Sequence, residues 1–291
     1  TGEARVYPDL LREHRQLSAL FLNRGAFGIH AQRQLGKGRE FEKLREYLPG
    51  DSFEDIHWKA TARRGHPVTK EYQVERTQEV YVVVDASRLS ARTLAGEGLA
   101  AARGATQIER YVSAALTLGL AAEHQHDLFG LAAFSDRVIT FVRAQSGKGH
   151  FNVCREALYT LQAESVNPNY ADIFAFLRTR LRRRALVVFL THLDDPALAE
   201  QFRDHVEILA RRHLVFVNVL TPPGVAPLFS SPATALEDVY EHFAGHLRWH
   251  DLLQVRRELH LRNVTMAMFD QELLAVQLVS QYLNLKQRQA I

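Results

Sequence analysis

Hydrophobic and polar positions divide this chain into two regimes. From residue 80 onward, apolar runs of strand length alternate with helix-period stretches. "VYVVVDA" is a near-continuous β-branched run, as expected of a strand buried on both faces. "YVSAALTLGLAAEH" reads as a helix, and "DLFGLAAFS" and "RVITFV" as two strands joined by a tight hairpin at Ser135-Asp136. "HFNVCREALYTL" and "ADIFAFLRTRLRR" follow as helices, and "ALVVFLTH" as another buried strand. Next come a helix with proline in its first turn, "PALAEQFRDHVEILARR", and the strand "HLVFVNVL". A proline-rich loop leads to a long helix from about Ala235 to Leu261, a short strand "VTMAMFD" and a closing helix "QELLAVQLVSQYLNLKQRQ". Such alternation predicts an α/β fold: a Rossmann-like, doubly wound, mostly parallel sheet covered on both faces.

The first 78 residues follow another grammar. Leu10, Leu11, Leu17, Leu20 and Phe21 give a rough helical face within residues 1–35. Beyond it, glycines and prolines break the chain into short pieces. Ser52 with Asp55 predicts a capped helix that carries Ile56 and Ala60 on one face and ends at Gly65. "VTKEYQVE" alternates as a strand. The expected organisation is an N-terminal extension, 1–78, packed on a main domain, 79–291.

Composition narrows the function classes. Hydrophobic residues make up 46% and charged residues 24%, with a formal charge of +3, so no strongly basic surface is dictated. Arg182-Arg183-Arg184 reads as the solvated end of a helix, and no nucleic acid is expected as a partner. A single cysteine, Cys154, excludes an intrachain disulfide and reads as a buried, inert thiol. No apolar stretch reaches the roughly 18 residues that span a bilayer. The default compartment is the cytoplasm, with peripheral membrane association, and an anchor once preceding Thr1, left open.

Chemistry gathers where strands end, as open α/β sheets lead one to expect. Asp85 and Ser87 follow the first main strand in the outline of a divalent-metal site. Asn169 to Asp172 precede a helix, and Thr191 to Asp195 follow another strand. His242, His246 and His250 share a helix face but span about 12 Å, too far for one ion. "SGKGH" lacks Walker spacing. Asp51, Glu54, Asp55, His57, Lys59, Arg63 and Arg64 form a mixed-charge patch, read as an ion-paired docking element with Trp58 as its packing anchor. Its interaction candidates are Asp51, His57, Trp58, Arg63 and Arg64.

The stretch "GKGREFEKLREYLPGDSFEDIHWKATARR", Gly36 to Arg64, followed by "VVVDAS", resembles the bacterial domain of unknown function 58 family. Position 57 is histidine where many relatives have aspartate before the tryptophan. The resemblance implies a von Willebrand factor A-like domain with an N-terminal extension. It also implies association with MoxR-type AAA+ ATPases, for which such domains serve as adaptors.

That fold often carries a metal-ion-dependent adhesion site: D-x-S-x-S, a threonine from a second loop, and a later aspartate. Asp85 and Ser87 match. The second serine falls on Leu89, the threonine on Ala171 and the aspartate on His192, a poor magnesium ligand. Asp172, Asp194, Asp195 or a shifted Ser90 are the available substitutes. The resulting expectation is a non-enzymatic protein-interaction module with a degenerate site, no required cofactor and Mg²⁺ as the one ion the frame suggests. The alternatives are a metal-dependent enzyme with a rearranged carboxylate site around Asp85, and a nucleic-acid-binding protein.

Overall fold

The computed structural model describes residues 35–48, 51–73, 77–93, 105–228, 230 and 235–287. The helical face expected within residues 1–35 lies outside the described residues. The chain divides into two compact units, with the break between Thr77 and Gln78.

In the larger unit, six strands pair in one sheet: β3 (Glu79–Asp85), β4 (Leu128–Phe134), β5 (Val138–Gln145), β6 (Ala185–Leu190), β7 (Leu214–Leu220) and β8 (Val264–Phe269). Their order is β5-β4-β3-β6-β7-β8, and every pair is parallel except β4-β5, the expected hairpin. Numbered within the sheet this is 3-2-1-4-5-6, the doubly wound order that reverses at its first strand. The fold is therefore the Rossmann-like, von Willebrand factor A type that the alternation and the resemblance implied.

Alternation within strands assigns the two faces. Tyr81, Val83, Val187, Phe189, Val215 and Val217 join one core with α4 (Tyr170–Arg180), α5 (Pro196–Ala210) and α6 (Leu236–Leu261). Its centre is a ring cluster in which Phe202 meets Tyr170, Phe174 and Phe189 at centroid distances of 5.1–5.4 Å. α2 (Gln107–His124) packs against β3 and β4, flanked by α3 (Lys148–Tyr159) and α7 (Leu274–Gln287). Strands β3, β4 and β6 are buried almost end to end, which is why they read as unbroken apolar runs. Gly130 is required on β4: a Cβ there would meet the Tyr81 ring at 2.6 Å and the Ala144 nitrogen at 2.7 Å.

The smaller unit is a two-stranded antiparallel ribbon, β1 (Leu35–Glu46) against β2 (Val68–Gln73), bulged between Phe41 and Lys43. Gly36 and Gly38 lie where the register of β1 is interrupted between Leu35 and Glu40, and regular pairing runs from Lys43 to Glu46.

The helix expected from Ser52 is corrected. Residues Phe53–Asp55 form a single 3₁₀ turn, and Ser52 makes no side-chain cap. Ile56 bridges to Thr69 instead of continuing a helix. The helix proper, α1 (Trp58–Arg64), starts after His57, whose Nδ1 accepts the Ala60 amide at 3.0 Å. An aspartate caps in the same way, which accounts for histidine at this position. Gly65 ends α1 at φ 73°, as expected.

Candidate interaction site at the carboxyl edge of the sheet

Parallel register brings the site together. Val84 of β3 lies opposite Leu190 of β6, so the next residues, Asp85 and Thr191, meet where the strands end. Both are completely buried. Asp85 Oδ1 accepts the Ser87 amide at 2.9 Å, closing an Asx turn, and Oδ2 accepts the Thr191 hydroxyl at 2.5 Å. The Tyr170 hydroxyl lies 2.9 Å from Thr191 Oγ1 and donates toward the His192 carbonyl at 3.2 Å. Tyr111 donates to the Thr191 carbonyl at 2.9 Å. Burial pushes both phenols well above their ordinary range, and the Asp85 carboxyl adds to the effect, so they act as neutral donors.

Ser90 ties the second half. Its hydroxyl donates to the Asp85 carbonyl at 2.6 Å and lies 3.2 Å from His192 Nε2. The serine proton is committed to Asp85, so His192 Nε2 carries the hydrogen of that contact. Burial holds the His192 imidazole below its ordinary pKa, against the opposing pull of Asp85 and Asp194. The ring also lies against Tyr111, tilted by 44° with 5.3 Å between centroids.

The outer rim is ionic. Arg92 binds Asp194 at 2.7 Å, and Arg88 reaches Asn167 at 2.5 Å and Asp195 at 3.7 Å. Asp195 also caps α5 by accepting from Ala197 and Leu198. Ser135 and Arg137, at the β4-β5 turn, both hold Glu164.

The predicted site residues separate accordingly. Asp85, Ser87, Ser90 and His192 come together, and Asp194 sits at their edge. Leu89 points into the apolar core. Ala171 and Asp172 are exposed on the first turn of α4, where the Asp172 amide donates to the Asn169 cap. The Asp172 carboxylate is exposed on α4, and the Asp195 carboxylate accepts amides at the start of α5. Tyr170, Thr191 and Tyr111 complete the site; the first two lie within the stretches singled out in the sequence, but Tyr111, inside an apolar helical stretch, gave no such signal. The adjacency of Tyr170 to Ala171 and of Thr191 to His192 was the available signal.

Magnesium takes about six hard oxygen ligands, and these residues do not fit it. Both Asp85 oxygens already accept protein donors, Asp194 is held by Arg92, and Leu89, Ala171 and His192 supply no carboxylate or hydroxyl. Two buried oxygens, Ser87 Oγ and Asp194 Oδ1, have no protein partner. Among the described residues, no group of three or more His, Cys, Asp or Glu side chains is placed to hold a metal ion.

In the smaller unit, Arg45 grips Asp51 with two bonds of 2.8 Å, and Leu48 donates to the same carboxylate at 2.9 Å. The Arg45 bonds hold the Asp51 carboxyl below its usual range. Trp58 is 69% exposed, Arg63 and Arg64 are exposed as well, and the seven-residue α1 has no buried residue.

Elsewhere, Arg182 to Arg184 are exposed ahead of β6, at the opposite end of the sheet from Asp85. His246 accepts the Leu228 amide at 3.1 Å and stacks on Trp249, so it serves the packing of α6. No helix among the described residues is long and apolar enough to cross a membrane.

The chain is 27% identical over 192 residues to uncharacterized proteins Rv1480 of Mycobacterium tuberculosis and Mb1516 of Mycobacterium bovis, covering 65% of this chain. The match spans 57% of those relatives, so the chain corresponds to little more than half their length. Among solved structures, the PilB minor pilin from Streptococcus sanguinis is similar over 77% of this chain and 66% of that one, at 10% identity and a TM-score of 0.46. The conserved hypothetical protein BatB from Bacteroides thetaiotaomicron is similar over 70% and 98%, at 12% identity and a TM-score of 0.41. The sequence profile described as "Protein of unknown function DUF58" matches residues 43–226, more than half of the chain, and the chain belongs to that family.

Proposed function

We propose that this chain is a non-enzymatic protein-interaction module whose carboxyl-edge site is a degenerate metal-ion-dependent adhesion site. The observation that carries the reading is the closed network Asp85–Thr191–Tyr170. It satisfies the buried carboxyl with protein donors, where a working adhesion site would present it to Mg²⁺. Recognition then uses the rim formed by Arg88, Arg92, Asp194 and Asp195, whose ion pairs sit at the mouth of the site. The family resemblance supports a MoxR-type AAA+ ATPase as the partner, and the exposed Trp58, Arg63 and Arg64 are a second contact candidate.

A metal-dependent enzyme is the second reading, favoured by the unpartnered Ser87 Oγ and Asp194 Oδ1. Titration calorimetry with Mg²⁺ and Mn²⁺ separates the two. The adaptor reading expects no binding in the micromolar range. Micromolar binding lost in Asp85→Ala would overturn it. For the partner, capture of the co-encoded ATPase by the wild type, weakened by Arg92→Glu, is the expected result.

A further inference from the structure

Helix α6 carries an apolar stripe on the side turned away from the protein. Leu236, Val239, Tyr240, Phe243 and Leu247 are each between 48% and 67% exposed. At 100° per residue they fall within about 60° of the direction opposite Gly245. Gly245 is buried and lies so close to the Gly224 carbonyl that a Cβ has no room. Leu252 and Leu259 continue the packed side. The helix is therefore clamped with its apolar stripe outward. Contiguous exposed apolar surface of this kind marks a binding face.

The charges beside the stripe point to one occupant. Glu237 and Arg248 lie on the same flank, about three turns apart. Neither takes part in an ion pair among the described residues. When two identical helices pair antiparallel, each flank meets the same flank of its neighbour, running the other way. A two-fold axis near Phe243 then sets Leu236 against the partner's Leu247 and Tyr240 against the partner's Phe243. The same axis sets Glu237 beside the partner's Arg248, twice. A patch that is complementary to itself in this way is what an isologous contact requires. A lipid surface fits poorly, because Glu237, Glu241 and Asp251 accompany Arg248 on that flank, whereas interfacial helices carry basic flanks.

We infer that α6 is a homodimer contact, formed by antiparallel pairing of the Leu236–Leu247 stripe with a second copy of this chain. One helix face falls short of the roughly 800 Å² per partner of a standard interface, so association on the order of micromolar is expected.

Sedimentation velocity of the full chain over a range of about 1 to 500 µM is the test. The wild type should shift from monomer to dimer across that range, and Phe243→Glu should stay monomeric with an unchanged circular dichroism spectrum. Glu237→Arg and Arg248→Glu should each weaken association several-fold, and the double variant should restore it, because the two reversals re-pair across the axis. A wild type that stays monomeric throughout, or a Phe243→Glu that still dimerises, would overturn the inference. Failure of the double variant to recover would overturn the antiparallel register. A monomer that instead co-sediments with phosphatidylcholine and phosphatidylglycerol vesicles would assign the stripe to a membrane surface and overturn it as well.

Discussion

Thr191 Oγ1 donates to Asp85 Oδ2 across 2.5 Å, joining the ends of two neighbouring parallel strands inside a fully buried site. A side chain without the hydroxyl leaves a buried carboxyl oxygen without that donor. Thr191→Val is expected to cost about 1–3 kcal/mol in urea unfolding. Thr191→Ser keeps the donor and should lose much less, which separates the hydrogen bond from the packing of the methyl group.

His192 makes the same site sensitive to acid. Its pKa is depressed in the folded state by burial, while Asp85, Asp194, Arg92, Tyr111 and Ser90 surround it. A depressed folded pKa means that the unfolded chain binds the proton more readily. The contribution of His192 is therefore complete above its unfolded pKa of about 6.5 and is lost as pH falls below it. Chemical unfolding followed from pH 7.5 down to pH 5 should show falling stability, with a shallower slope in His192→Gln. His213, also depressed by burial and by Arg212, supplies the residual slope.

The closing helix is fastened by one buried carboxylate. Asp127 accepts from the Gln78 amide at 3.1 Å, from the Tyr282 hydroxyl and from Lys286 Nζ at 2.9 Å. Removing the acceptor leaves the Tyr282 hydroxyl without its partner, while Lys286 Nζ keeps the Gln125 carbonyl at 2.7 Å. Asp127→Ala should cost about 1–3 kcal/mol, against about 1 kcal/mol for Tyr282→Phe. Hydrogen exchange should show the loss concentrated in Leu274–Gln287.

Burial pushes the Cys154 thiol up to about 12, beside His150 at 3.5 Å. A thiol kept protonated and enclosed is a poor nucleophile. Iodoacetamide at pH 8 should leave the native protein unlabelled for hours and modify it quickly in guanidinium. Rapid labelling of native protein would show that α3 opens.

Unbroken apolar runs such as Val80–Val84 and Ala185–Leu190 could be read directly as strands buried on both faces, and the hairpin at Ser135-Asp136 followed from its turn residues. The ribbon could not. β1 looks glycine-broken and polar in sequence, and only pairing with β2, some thirty residues on, makes it a strand. Ser52 has the local chemistry of a cap, yet the cap is His57, because Ile56 is claimed by its bridge to Thr69. Local signals lose wherever a distant partner offers the same backbone groups a better bond.

The carboxyl-edge site divides along the same line. The sequence by itself determined the alternating α/β order, the position of Asp85 and Ser87 at a strand end, and the absence of oxygen ligands at Leu89, Ala171 and His192. Local periodicity and residue type are enough for each of these. What occupies the Asp85 carboxyl was decided only by tertiary structure. The register of β3 on β6 delivers Thr191, α4 delivers Tyr170, and the turn after β3 brings Ser90 to His192. The Asp85–Thr191 and Ser90–His192 bonds join residues about a hundred positions apart, and no spacing along the chain encodes the direction in which a hydroxyl points.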